Sequence, residues 1–461
     1  MQAISAKLLL AGLAPEQQLS EKNIVSVTTD SRSVGEGCVF VAFPGEHFDG
    51  HSFAAQAAQK GAAYVIVNHP VADVPPEKMI VCPDSYKAMM TIGENYRAQV
   101  SPLLIGVTGS VGKTTTKEFC YAALSAFGNT IKTEGNQNNE LGLPNTLLRM
   151  DASTEYGVVE MGMSHAGEIS RLVRCAQPAA GIITCIGVSH LETLGTRENI
   201  LKAKMEICDG LPEGAPLILN YDDEYLRGAK YPAHVRPVWF SLEDEQADVY
   251  ASDIQENTEN TLFVLEDAEH GTFAVTLPTI GRHNIRNALA AYCAVTRLGL
   301  DAAKAAAALS HFEQTGMRQR IHALAGVTVI EDCYNANPDS MRAALAMFAE
   351  YPCKRRFALL GDMLELGTIS EQAHTELGAL AAKSGLYCLI AYGPAAERTA
   401  ITAAAKGQKT LYAHNYREAA DALLSRVLPG DAILVKASRS IALENVLKLF
   451  YAEYPNKING K

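Results

Sequence analysis

Gly106-Val-Thr-Gly-Ser-Val-Gly-Lys-Thr-Thr-Thr116 is the stretch on which the fold turns. Apolar residues 103–107 precede it as a buried strand and a helix opens at Thr114, so the chain passes from strand to helix through a glycine-rich loop. Glycines let such a loop turn its N–H groups inward, and the helix N-terminus adds partial positive charge. Gly109, Ser110, Val111, Gly112, Lys113, Thr114 and Thr115 therefore form a candidate cradle for a nucleoside triphosphate. In it Lys113 reaches the terminal phosphates and the Thr114 hydroxyl serves Mg²⁺. The bland reading of the same residues is a tight turn without a ligand. The spacing departs from G-x-x-x-x-G-K-T, since position 107 is Val and the glycines stand at 106, 109 and 112.

Outward from this loop, strand-like runs at 103–107, 158–161, 181–186 and 217–220 alternate with helical stretches, which predicts a parallel βαβ sheet. Residues 235–277 read as an antiparallel insertion or edge, with short strands at 261–265 and 272–277. The alternation resumes at 327–330, 357–360, 388–392 and 432–435 as a second doubly wound unit. Before the loop, runs at 38–43 and 64–67, a helix between them and another at 86–96 make a small α/β unit that ends near Ser101-Pro102. The expectation is an α/β protein of three domains. These are a small N-terminal α/β domain (1–100), a central P-loop ATPase-type domain with a mostly parallel sheet and an antiparallel part (101–313), and a C-terminal Rossmann-like domain (314–461).

Length and composition agree with this division. At 461 residues the chain exceeds what one core usually organises, and 48% hydrophobic with 20% charged residues is ordinary for a globular protein. A net charge of −11 leaves no basic footprint for nucleic acid, although a few local N–H groups and cations still suit a small anion. The opening residues are too short an apolar run for a membrane span, and the ten cysteines are scattered without a C-x-x-C pair. Both features point to a cytoplasmic protein with reduced thiols and no stable membrane insertion.

Four more clusters carry polar groups that need an explanation. Gly135-Asn-Gln-Asn-Asn139 is a run of short amides that either orient hydroxyl and phosphate oxygens or make turns. Glu160 ends an apolar strand, where an unpaired carboxylate is costly, so it needs Mg²⁺ or a Lys or Arg. His190, in Gly187-Val-Ser-His190, is a metal ligand or a packing residue, and Lys202 and Lys204 lie on the helix that follows. After Gly281, Asn287 can meet a base edge, and the structural reading beside it is a helix N-cap at Asn284.

These clusters, in this order, resemble the Mur ligase family, and the loop spacing resembles Mur ligases and folylpolyglutamate synthases more than GTPases. The resemblance implies ATP and two Mg²⁺ ions, with Thr114 serving the first and Glu160 and His190 the second. It also implies a carbamylated lysine, Lys204 in preference to Lys202, and makes Lys113, Lys204 and His190 the catalytic set. Asn287 would meet the adenine, and Arg318 (with Arg320 as the alternative) and Asp332 would meet ATP from the C-terminal domain; the other reading of Asp332 is a cap or turn residue. Glu331-Asp-Cys-Tyr-Asn-Ala-Asn-Pro-Asp-Ser-Met341, Leu360-Gly-Asp-Met-Leu-Glu-Leu-Gly367 and Val435-Lys-Ala-Ser-Arg-Ser440 resemble the branch that adds D-alanyl-D-alanine to a UDP-N-acetylmuramoyl-tripeptide. The last of these has Ala437 where Gly is frequent.

On that resemblance Asn335 and Asn337 lie near the dipeptide. Ser31, Arg32, Gly45 and Asp49, in Thr29-Asp-Ser-Arg32 and Pro44-Gly-Glu-His-Phe-Asp-Gly-His51, would bind the UDP end, with Asn136, Asn138 and Asn139 also on the substrate. The activity implied is ATP-dependent amide formation through an acyl phosphate, by a monomer. Addition of the third amino acid, a folylpolyglutamate synthase-like ligase and an ATP-controlled scaffold are the alternatives; the first lacks its D-N-P-R motif here.

Overall fold

The computed structural model describes residues 1–45 and 49–458. Glu46, His47 and Phe48, within the Pro44–His51 run read as UDP-binding, lie outside the described residues.

Three parallel or mostly parallel sheets follow one another along the chain. The first has four parallel strands, with Cys38–Val41 and Tyr64–Val67 fully buried at its centre, flanked by the helices Ala54–Gln59 and Ser85–Arg97. Asp84 caps the second helix by accepting from the N–H groups of Tyr86 and Lys87.

The second sheet has nine strands, and Leu103–Thr108 lies between Tyr156–Glu160 and Ala180–Ile183, parallel to both. That strand precedes the glycine-rich loop, so the loop emerges where the strand order reverses, the place open α/β sheets bind ligands. The region from 235 onward departs from expectation. Val235–Ser241 pairs in parallel with Ala215–Asn220, and the antiparallel part begins only with Val249–Glu256, Thr261–Asp267 and Gly271–Leu277. Pro237 disguised the first strand, and the irregularity between Ser252 and Gln255, where Asp253 takes φ 49°, broke the alternation of the second. The helix Arg282–Thr296 packs across this sheet, with most of its residues buried.

The third sheet has six strands. Val327–Glu331, Ala432–Lys436 and Arg356–Gly361 are adjacent and parallel, and Arg320–Leu324 adds an antiparallel edge. The loops after those three parallel strands therefore share one rim.

Candidate functional site

Two glycines let the phosphate loop fold as it does. Gly109 has φ 147°, and a Cβ there would overlap the Thr184 hydroxyl; Gly112 has φ 88°, and a Cβ there would stand 2.6 Å from Asn287 Oδ1. The Ser110 N–H donates to the Cys185 carbonyl at 3.0 Å, which stitches the loop to the segment after the strand Ala180–Ile183. Lys113 begins the helix Lys113–Ser125 and its Nζ donates to the Gly109 carbonyl at 2.7 Å. Burial pushes its pKa below the ordinary lysine value, against the opposing pull of Glu160.

Glu160 is 2% exposed at the end of its strand. Its Oε2 accepts from the Thr114 hydroxyl at 2.9 Å and its Oε1 from Asn138 Nδ2 at 2.9 Å. The buried Lys117 ammonium is 3.9 Å from Oε2. Lys117 spends its donors elsewhere, on the Thr133 carbonyl at 2.7 Å and beside Glu118 at 3.2 Å, and Glu118 in turn pairs with Lys132. The carboxylate that could hold a cation is thus oriented by a hydroxyl and an amide, with a lysine charge nearby.

The two lysines of the next helix, Arg197–Met205, separate cleanly: Lys202 is exposed, whereas Lys204 is 1% exposed. Among the described residues Lys204 has no carboxylate within ion-pair distance, and burial followed by the charge of Lys113 drives its pKa well below the ordinary lysine value. His190, at φ 65°, is held down to about 4 by burial and then by the charges of Lys113 and Lys204, so these three side chains act on one another. Among the described residues no three His, Cys, Asp or Glu side chains gather as a ready metal cage. Mg²⁺ is commonly held by one or two carboxylates with substrate phosphates and water. Thr114 and Glu160, already 2.9 Å apart beside the phosphate loop, suit that mode.

Across a cavity of about 260 Å³, the C-terminal domain faces the loop. Asp332, just after its strand, pairs with Lys436 Nζ at 2.6 Å, and Arg318 lies over the Tyr334 ring at 4.1 Å; both line the cavity, while Arg320 is exposed. Asn337 lines it too, but its Oδ1 caps the helix Pro338–Glu350 through the Ser340 N–H, and its Nδ2 donates to Ser189 across the domain seam at 2.7 Å. Asn335 is exposed and its Oδ1 accepts from the Ala336 N–H.

Asn287 lines the cavity and accepts from Thr116 at 3.1 Å. Asn284 is not the cap of its helix. Gly281 precedes the first turn, and Asn284 sits within it, donating to the Ile280 carbonyl and to Gln319 Oε1 at 2.8 Å each. Sequence reasoning gave no role to Lys436, His283 or Gln319, all of which line the cavity. Only Lys436 carried a signal, as the single lysine in the quoted Val435-Lys-Ala-Ser-Arg-Ser440 run.

The remaining candidates lie elsewhere. Asn136 and Asn139 are exposed, and Asn139 Oδ1 accepts from the Gly142 N–H as turn chemistry, so of the three amides Asn138 alone reaches Glu160. In the first domain Arg32 pairs with Asp30 at the surface, and Lys60 holds the Ser31 carbonyl. Gly45 is exposed, and Asp49 accepts from His51 Nδ1 at 2.6 Å. The Asn68 N–H donates to His51 Nε2, which fixes the proton on Nδ1.

Three family models match the chain: "Mur ligase family, catalytic domain" over residues 23–93, "Mur ligase middle domain" over 107–295 and "Mur ligase, glutamate ligase domain" over 317–439. A UDP-N-acetylmuramoyl-tripeptide--D-alanyl-D-alanine ligase of Bacillus subtilis is 37% identical over 447 residues, 95% of this chain and 96% of that one. The protein of the same name from Escherichia coli is 36% identical, over 94% and 95%. Among solved structures, MurF from Acinetobacter baumannii superposes with a TM-score of 0.90 at 30% identity, over 98% of this chain and 99% of that one. MurF from Thermotoga maritima in complex with ADP gives 0.84 at 30%, over 94% and 98%.

Proposed function

The chain belongs to the Mur ligase family, and from that premise we infer which of its residues carry the reaction. It is an ATP-dependent ligase that joins D-alanyl-D-alanine to UDP-N-acetylmuramoyl-tripeptide. The observation that carries the residue assignment is the cavity between the phosphate loop and the Asp332–Lys436 pair, which gives one nucleotide two walls from two domains.

Amide formation from a carboxylate and an amine is uphill in water. A terminal carboxylate oxygen of the tripeptide attacks the γ-phosphorus, ADP leaves, and the resulting acyl phosphate is attacked by the dipeptide nitrogen. That nitrogen forms the new C–N bond, phosphate departs with the C–O bond, and the nitrogen gives up a proton. Lys113 and the N–H groups of Gly109 to Thr115 stabilise the phosphoryl oxygens as charge shifts. Asp332, Arg318, Asn284 and Asn287 hold the nucleoside and orient the chain of phosphates. Contact between the two walls keeps water from the acyl phosphate.

Thr114, Glu160 and His190 would hold Mg²⁺, which when bound neutralises phosphoryl charge. Lys204 supports a further ligand: as a neutral amine its nitrogen can bond the carbon of CO₂ and release a proton, leaving an anion with two oxygens. Ser31, Arg32, Gly45 and Asp49 stand as the contacts for the UDP end. The reading places the protein in the cytoplasm as a monomer, and no described helix is long and apolar enough to cross a membrane.

Phosphate release measured with ATP and UDP-muramoyl tripeptide, with and without D-alanyl-D-alanine, tests this. Release that depends on the dipeptide and yields a ligated product of the summed mass less water is expected. Release with a single diamino acid in its place would instead support addition of the third residue.

A further inference from the structure

The Gly361-Asp-Met-Leu-Glu-Leu-Gly367 turn follows Arg356–Gly361 on the rim shared with Asp332 and Lys436. It is held firmly. The Met363 N–H donates to His374 Nε2 at 3.1 Å, the Leu364 N–H donates to Ser438 Oγ at 2.9 Å, and Leu366 is buried. Between these anchors Glu365 projects with its side chain 67% exposed, and its carboxylate reaches across the domain seam to 3.4 Å from His190 Nδ1. Glu365 has φ 62° and His190 has φ 65°, so each domain places a non-glycine residue in the left-handed region at one contact. Backbone strain kept on both sides of a contact points to side chains required there.

The neighbouring carboxylates of this rim are engaged at least in part. Asp332 is paired with Lys436, Asp362 accepts from the Ala396 N–H, and Asp339 Oδ1 is 3.2 Å from Arg342 while its Oδ2 is buried without a partner among the described residues. Among the described residues Glu365 has no lysine or arginine within ion-pair distance, yet it is close enough for its charge to act on Lys113. It does not line the nucleotide cavity; it lies on the His190 side. It therefore brings an unspent negative charge from the C-terminal domain to the edge of the phosphate-transfer centre.

We propose that the Glu365 carboxylate binds the ammonium group of the incoming D-alanyl-D-alanine and holds it at the approach to the acyl phosphate, where the ammonium gives one proton to solvent before its nitrogen attacks. The assignment rests on the ligase reading above and adds a contact for the amine end of the second substrate. An amine arrives protonated near neutral pH, and the cations nearby, Lys113 and Arg318, would repel it. A carboxylate on the approach side offsets that repulsion and selects a free amine over an acylated one.

Initial rates with varied D-alanyl-D-alanine test this on the full-length enzyme, using Glu365→Gln and Glu365→Gly. Glycine suits φ 62°, so the second variant should melt no lower than the wild type. Both should raise KM for the dipeptide about thirtyfold or more, with KM for ATP and tripeptide and the Mg²⁺ dependence unchanged. In calorimetry, D-alanyl-D-alanine should bind the wild type more tightly than either variant, whereas its N-acetyl derivative should not distinguish them. An unchanged dipeptide KM in both variants, or an altered Mg²⁺ dependence, would overturn the assignment while leaving the ligase reading intact. Absence of ligation by the wild type would remove both.

Discussion

Lys117 and Lys204 are both 1% exposed and both lie on helices of the central domain, Lys117 beside Glu160 and Lys204 within reach of the charge of Lys113, yet their partner sets are opposite. Lys117 has a carbonyl at 2.7 Å and carboxylates at 3.2 and 3.9 Å. Lys204 has no such partner among the described residues, and its pKa is driven down by burial and by Lys113. Burial disfavours the charged form of an amine unless carboxylates and carbonyls offset it, so a buried amine without such partners is the one that the proposed reaction with CO₂, which needs a neutral nitrogen, would select. Burial alone does not distinguish structure from chemistry; the partner set does.

The sharpest way to break this contrast is Lys204→Ala. Turnover should fall by about 10³-fold, the scale of losing a preorganised electrostatic group, while the melting temperature falls only by what the vacated buried space costs, since no ion pair is lost. Acetate should restore part of the activity by supplying carboxylate oxygens. Phosphate release with and without acetate, next to a thermal melt, checks both halves.

Lys117→Met should show the opposite pattern. Glu118 keeps Lys132, but the buried Glu118 and Glu160 lose their shared cation, so denaturant titration should read a stability loss of about 3 kcal/mol. A variant as stable as the wild type would mean that Lys117 is no counter-ion.

A buried carboxylate with its own partner set extends the rule. Burial alone would raise the Asp267 carboxyl, but Arg297 at 2.8 Å, the Glu269 N–H and His270 hold it well below the usual range. A carboxyl depressed in the folded state contributes stability above its unfolded pKa of about 4, and that stability is lost as pH falls toward the folded value. Melting curves between pH 7 and pH 3 should therefore be less steep in Asp267→Asn than in the wild type, with turnover per folded molecule unchanged. An identical acid-side slope would contradict the assignment.

How much of this was legible in the sequence follows from distance along the chain. The strand, loop and helix around Lys113 are contiguous, so their order alone fixed the loop and the parallel sheet beside it. Glu160 was legible as a carboxylate in need of a partner, but its orienting groups come from Thr114 and Asn138, 46 and 22 residues away. The Asp332–Lys436 pair spans 104 residues and is set by the adjacency of two parallel strands, which no local pattern encodes. Sequence reasoning gave Lys117 and Glu118 no role; the packing of their helix against the strand Tyr156–Glu160 and the helix Arg282–Thr296 buries them. Val235–Ser241 reads with the antiparallel strands because its proline hides an interior strand that is parallel to both neighbours.

Carbon-13 NMR of enzyme equilibrated with labelled bicarbonate tests the difference between the two lysines most directly. A single carbamate resonance is predicted in the wild type, retained in Lys117→Met and absent in Lys204→Ala. A resonance that survives Lys204→Ala, or its absence from an active wild-type enzyme, would contradict the account.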